Sequence, residues 1–212
     1  MSLFPSWIEH RPMVEAVRLE LSLPCLDDNT ADLDRLTRGL AQRGFTPLHV
    51  PPSGMGRLIE HIRLGSFNVT ALVGKNGPYW ELVDLLPGFT DGPVLGFAVD
   101  LGSSSLAFYL IDLRAGKILA QRSAPNPQIP FGDDILTRIL FARTEPNRKL
   151  LQRILVKAMN ESMVSMLEER GLGAENVLAM TVAGNTAMSH FFLGLDPGSI
   201  CKEPYIPAAN RF

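Results

Sequence analysis

The sequence predicts an α/β fold built as two successive units, and three observations carry that expectation. Apolar residues recur with period two in some segments and at i, i+3 and i+7 in others, the periods of half-buried strands and amphipathic helices. A stretch rich in proline and glycine, Pro87-Gly88-Phe89-Thr90-Asp91-Gly92-Pro93, reads as a linker between them. With 46% hydrophobic and 20% charged residues, the 212-residue chain can bury one good core or two small ones of roughly 100 residues each.

Residues 1–12 contain Pro5 and Pro12, show no sustained period and read as a tail or linker. Met13 to Leu23 alternates, with Val17, Leu19, Leu21 and Leu23 on one face, and predicts a half-buried strand. Asp27-Asp28-Asn29-Thr30 supplies turn and N-cap chemistry for a helix over 32–43, in which Leu33, Leu36 and Leu40 share a face and Gly44 is the stop. A short strand is expected near 46–50, broken by Pro51-Pro52, and a second amphipathic helix over 55–64, stopped by Gly65. Strands over 68–73 and 79–85 are joined at Lys75-Asn76-Gly77, a hairpin signal.

The second unit opens with strands over 94–100 and 106–112, joined by a turn rich in hydroxyls. Arg114-Ala115-Gly116-Lys117 then turns into a third strand over 118–122, which makes a meander. The loop over 123–132 holds three prolines and leads to Asp133-Asp134, suited to the N-terminus of a helix over 135–142. A longer helix over 147–170 turns Leu151, Ile154, Leu155, Ala158, Met159, Met163, Met166 and Leu167 inward, and Gly171 and Gly173 end it. A buried strand over 177–182 follows, then Ala183-Gly184-Asn185-Thr186 and a short helix over 187–193.

Composition excludes several classes. Net charge is −2 with both signs interspersed, whereas nucleic-acid and anionic-membrane binders carry a basic excess or run, so neither partner is expected. No apolar run approaches the ~20 residues that span a bilayer, and the N-terminus lacks the pattern of a signal peptide. The expected compartment is the cytoplasm. Cys25 and Cys201 stand alone, too few for a metal or iron–sulfur site, and are expected to be reduced, partly buried thiols. The phosphate fingerprints G-x-G-x-x-G and G-x4-G-K-[ST] do not occur.

The most informative constellation is Asp100-Leu101-Gly102-Ser103-Ser104-Ser105 between two apolar strands. Such a turn can aim several backbone N–H groups and hydroxyls into one space, which holds a phosphate without a helix. An aspartate at the strand tip can hold a metal-bound water or orient a nucleophile. The same residues also make an ordinary hairpin, and both readings stand. At the second strand tip, Asn185 or Thr186 can cap the following helix; alternatively the Asn185 amide lies beside the same cleft as Asp100. The stiff segment from Asn126 to Asp134 is either a shaped surface or a rigid connection. Arg138 is expected to pair with Asp134, one helical turn before it. His190, between apolar neighbours, reads as structural. His10, His49 and His61 stand singly, and Met159, Met163 and Met166 read as helix core.

Three blocks in order carry a family resemblance: Gly96-x-Ala98-Val99-Asp100-Leu101-Gly102-Ser103-Ser104-Ser105; Asn126-Pro127-Gln128-Ile129-Pro130-Phe131-Gly132-Asp133-Asp134-Ile135 with Arg138-Ile139; and Ala183-Gly184-Asn185-Thr186-Ala187-Met188-x-His190 ending in Gly194-Leu195-Asp196-Pro197. Together they resemble the reductive activators of corrinoid-dependent enzymes, ferredoxin-like proteins with an ATPase domain of the actin/Hsp70/sugar-kinase type. Leu23-Pro24-x-Leu26-x-Asp28-Asn29-x-x-Asp32-Leu33-x-Arg35-Leu36 is similar to that family's middle domain, so the resemblance covers nearly the whole chain.

The resemblance implies a small α/β middle domain over 13–88, a linker over 89–93, and over 94–212 the first, ribonuclease H-like lobe of the ATPase domain. It implies an ATP-dependent activator that passes an electron from a [2Fe-2S] domain to cob(II)alamin and so restores cob(I)alamin on a corrinoid protein or corrinoid-dependent methyltransferase. Asp100 would hold the Mg²⁺–water shell, and Gly102, Ser103, Ser104 and Ser105 would contact the β- and γ-phosphates. Gly184, Asn185 and Thr186 would line the same cofactor site. Where the family usually has threonines this chain has serines, which keep the hydroxyl and lose the stiffness of the β-branch. The iron–sulfur domain and the second ATPase lobe are expected to be missing, leaving a truncated fragment that is inactive alone and holds no cofactor tightly. The alternatives are another ATPase of that superfamily, such as an acyl-CoA dehydratase activator or a small-molecule kinase, and a non-catalytic docking module whose first unit forms a homodimer or corrinoid-protein interface.

Overall fold

The computed structural model describes residues 14–53 and 55–209, so the expected tail over 1–12 and the strand start at Met13 lie outside the described residues. It forms two compact units: the chain up to Val94 together with Asp112–Lys117, and Leu95–Ile111 together with the chain from Ile118 onward.

The first unit runs β1 (Val14–Glu20), α1 (Asp32–Gln42), β2 (Leu48–His49), α2 (Met55–Leu64), β3 (Asn68–Asn76) and β4 (Tyr79–Pro87). Its sheet has the order β1-β3-β4-β2; β1 and β4 run antiparallel to β3, and β2 runs parallel to β4. Alternation along β1 puts Val17, Leu19 and Leu21 on the core face, where they meet Leu36 and Leu40 of α1 and Leu58 and Ile62 of α2. Leu23, expected on that face, is 65% exposed because the strand ends at Glu20. Gly44 follows α1 with φ of +90°, the left-handed conformation that a glycine stop supplies. The β3–β4 hairpin turns through Gly77, also at positive φ, and Pro78.

The turn before α1 has a different job from the expected cap. Ala31 is the N-cap and no side chain caps the helix. Asp28 instead seats Arg35, which is 3% exposed. The Arg35 guanidinium donates to the Asp28 carboxylate, to the Asp28 carbonyl at 2.7 Å, to the Ser22 hydroxyl at 2.6 Å and to the Ser22 and Thr30 carbonyls at 3.1 Å. A buried guanidinium needs this many acceptors because each unpaired N–H would carry its full desolvation cost.

The second unit runs β5 (Leu95–Leu101), β6 (Ser105–Asp112), β7 (Lys117–Pro125), α3 (Ile135–Phe141), α4 (Glu145–Glu168), β8 (Val177–Gly184) and α5 (Thr186–Leu193). The sheet order is β7-β6-β5-β8, with β8 parallel to β5. Phe97, Val99 and Leu101 of β5 and Leu106, Phe108 and Leu110 of β6 pack with Leu151, Leu155, Met159 and Met166 of α4 and Met188 and Phe191 of α5. The methionines thus serve as core, as their spacing predicted. The strand expected to be buried over 177–182 is β8, which lies at the sheet edge with its residues half-buried or exposed, Met180 at 47%. Both thiols are exposed rather than partly buried. Among the described residues no helix is long and apolar enough to cross a membrane, and no group of three or more His, Cys, Asp or Glu could hold a metal ion.

The Thr30 hydroxyl, then the Arg35 guanidinium, hold the Asp28 carboxyl down from its ordinary 3.8 to about 2. A depressed carboxyl stabilises the folded state above its ordinary value, and that contribution is lost as pH falls through the folded value. Asp28→Asn removes it. Thermal melts should show the wild-type advantage present at about pH 5 and shrinking to nothing below about pH 2; a constant gap across that range would exclude this carboxylate as the titrating group.

Candidate functional site

The site is assembled where β5 and β8 end side by side. Their parallel register sets Asp100 opposite Ala183 and Leu101 opposite Gly184, so the two polar strand tips lie one inter-strand spacing apart, about 4.8 Å. Gly184 marks a close approach there: a Cβ at this position would stand 3.0 Å from the Leu101 Cβ and 3.2 Å from its carbonyl oxygen. Asp100, Ser104, Ser105, Gly184, Asn185 and Thr186 are exposed, while Gly102 and Ser103 are half-buried. The structure therefore brings every sequence-predicted site residue to one rim of the second unit.

Behind the turn lies a buried polar layer that sequence reasoning left unassigned. Asn126, 2% exposed, donates from Nδ2 to the Gly102 carbonyl at 2.8 Å, and its backbone N–H donates to the Ser104 carbonyl at 2.9 Å. Arg138, fully buried, donates from Nη1 to the Ser103 carbonyl at 3.0 Å, and from Nη2 and Nε to the Gly132 carbonyl at 3.0 and 3.2 Å. The expected Arg138–Asp134 pair does not form. Asp134 caps α3 by accepting from the Thr137 N–H at 2.9 Å and the Thr137 hydroxyl at 2.7 Å, and these bonds hold its carboxyl below the ordinary value. Burial pulls the Arg138 guanidinium down from its ordinary value, against the opposing pull of Asp134 and Asp133.

The second tip joins the same layer through Met188. Asn185 caps α5, its side-chain oxygen accepting from the Met188 N–H at 2.9 Å. The Met188 sulfur is in turn 3.6 Å from Arg138 Nη1 and 3.7 Å from Asn126 Nδ2. The stiff 126–134 segment is neither a surface nor a bare connection: it turns Asn126 and Gln128 into the interior, where Gln128 Nε2 donates to the Leu151 carbonyl at 3.0 Å of α4. The sequence signal was Asn126-Pro127-Gln128, two amides in a proline-stiffened loop that leads to an arginine.

His190 is structural, as read from its neighbours. Fully buried, it donates from Nδ1 to the Thr186 carbonyl at 2.7 Å within α5 and accepts the Ala208 N–H on Nε2 at 3.1 Å. Both ring nitrogens are satisfied in one neutral tautomer.

Two family models match in succession, the RACo linker region over residues 6–92 and the RACo middle region over 95–212. The family's own terms are thus linker for the first unit and middle for the second. The corrinoid activation enzyme RamQ of Eubacterium limosum is 29% identical over 129 residues, 59% of this chain and 22% of that protein. A solved structure titled reductive activator for corrinoid, iron-sulfur protein aligns with a TM-score of 0.85 at 32% identity, over 97% of this chain and 33% of its own. The chain spans about a fifth of the first relative and a third of the second. The fold is the expected one, a small α/β unit followed by a ribonuclease H-like lobe of the actin/Hsp70/sugar-kinase type. With matched models running from residue 6 to residue 212, the chain belongs to the RACo family of corrinoid reductive activators.

Proposed function

We propose that the Gly102–Ser105 turn holds the phosphates of Mg-ATP in an activator that uses ATP to restore cob(I)alamin on a corrinoid protein or corrinoid-dependent methyltransferase. One observation carries this reading. Three consecutive carbonyls, those of Gly102, Ser103 and Ser104, are all taken by donors on the buried side of the turn. Across a planar trans peptide the C=O and the following N–H point in opposite directions. The N–H groups of Ser103, Ser104 and Ser105 therefore face away from Asn126 and Arg138, and those of Ser103 and Ser104 have no partner among the described residues. Adjacent free N–H groups form an anion nest.

The surrounding residues fit that ligand. The hydroxyls of Ser103, Ser104 and Ser105 add donors, and the positive end of the α5 dipole begins one strand away at Gly184-Asn185-Thr186. Asp100, an exposed hard oxygen ligand at the strand tip, would hold Mg²⁺ through its water shell. Bound ATP would supply the free energy for an uphill electron transfer. The chain's two cysteines, Cys25 and Cys201, do not match the four thiolates of a [2Fe-2S] cluster, so the proposal assigns the electron source to protein outside these 212 residues and derives no step through it. The names of the two relatives support a corrinoid protein as partner.

In the full-length protein, cob(II)alamin reduction on a candidate corrinoid carrier should require ATP; equal rates without ATP would overturn the proposal. Asp100→Asn should lower the ATP-dependent rate by about a hundredfold, the scale of losing one preorganised electrostatic contact, with the melting curve unchanged. Gly102→Ala tests the turn. Its new Cβ would stand 2.4 Å from the Ser105 carbonyl oxygen, so the turn must shift, at a cost of about 1–3 kcal/mol. Nitrogen-15 NMR titration with Mg-ATP should move the Ser103–Ser105 amides in the wild type and leave them still in this variant.

A further inference from the structure

We infer that Arg138 is the positioning residue that keeps the Ser103–Ser104 peptide, and with it the Ser104 N–H, facing outward, an inference that rests on the phosphate reading above. Asn126 holds the peptides on either side, at the Gly102 and Ser104 carbonyls, and leaves the Ser103–Ser104 peptide, between two small hydroxyl side chains, for another donor to fix. Rotating the Ser103–Ser104 peptide by half a turn would swing the Ser103 carbonyl to the outer side, where it would repel an anion instead of binding it. Arg138 opposes that rotation, because its Nη1 holds the Ser103 carbonyl while its Nη2 and Nε hold Gly132.

The planar fork is what makes this a rigid clamp. Its donors stand at fixed angles, so anchoring one side on Gly132 aims the other at Ser103. The anchor is packed closely against the helix that carries the arginine: a Cβ at Gly132 would lie 2.7 Å from the Arg138 backbone nitrogen. No carboxylate bonds the guanidinium among the described residues, since Asp134 caps the helix. Its hydrogen-bonding capacity therefore goes to backbone carbonyls and the Met188 sulfur, the residue that links the turn to α5. A buried arginine kept solely for stability would be expected to meet an acid, as Arg35 meets Asp28 in the first unit.

Arg138→Lys separates these roles, because it keeps the charge and loses the fork. Two readouts are needed: amide exchange at Asn126, whose N–H reports the closed turn through the Ser104 carbonyl, and Mg-ATP affinity from the NMR titration. We expect exchange at Asn126 to quicken about tenfold and affinity to fall about tenfold, each the effect of roughly 1.4 kcal/mol, with exchange at Leu155 in the core unchanged. Wild-type exchange at Asn126 in this variant would overturn the inference. So would equal acceleration at Leu155, which would make Arg138 a general stability residue. If the wild-type chain and its full-length parent show no Mg-ATP binding, the phosphate reading fails, while exchange at Asn126 still decides whether Arg138 sets the turn. Should Arg138→Lys not fold, Arg138→Gln, an uncharged side chain without the fork, is read by the same two measurements.

Discussion

Parallel pairing of β5 with β8 is the constraint on which the rest of the second unit depends. Two strands joined by a hairpin end at opposite ends of a sheet, whereas parallel neighbours end together. The crossover through α3 and α4 returns the chain so that Leu101 and Gly184 stand in register. The placement of the second strand tip beside the first follows from that alignment. Gly184 fits where the strands come close, Asn185 caps the helix that starts at once, and Met188 is placed by α5 on the buried side of the turn. This is the general behaviour of open α/β sheets, in which ligands collect beyond the carboxyl ends of strands.

The two units each bury an arginine, and they compensate for it differently. Taking a guanidinium out of water costs several kcal/mol unless its donors are met. In the first unit Arg35 meets a carboxylate as well as carbonyls, which makes a locked loop whose strength depends on the charge of Asp28. In the second unit Arg138 meets carbonyls and a sulfur, so the positive charge is left without a bonded counter-ion behind the turn. At low local dielectric such a charge acts over a longer range than it would in water. On the phosphate reading proposed above, it would add to the outward N–H groups in favouring an anion on the far side.

The strand, helix and hairpin pattern was legible in the sequence because it is written in neighbouring residues. The helix over 55–64 and the start of the helix at Ile135 agree with the structure, and Gly44 and Gly77 supply the turns that their positions called for. The exceptions are also physical. Alternation over 13–23 runs past the point where the sheet partner ends, which exposes Leu23. An apolar run over 177–182 reads as buried, yet apolarity does not say whether a second strand or solvent lies beyond the edge. Local spacing paired Arg138 with Asp134, and the helix cap took the carboxylate first.

The sequence by itself determined the two units, the strand-tip turn with its serines, a capping side chain at Asn185 or Thr186 and the family to which the chain belongs. Each rests on residue types at short, fixed spacings. Tertiary structure alone decided that these pieces meet at one rim. Asn126 and Gly102 are 24 positions apart, Arg138 and Ser103 are 35 apart, and Arg138 and Met188 are 50 apart. No local period encodes such contacts. They come from packing the sheet against α4 and α5, which buries Asn126 and Arg138 and leaves the backbone carbonyls of the turn among their few acceptors. The direction in which a polar turn faces is thus set from behind, by residues that the turn's own sequence does not contain.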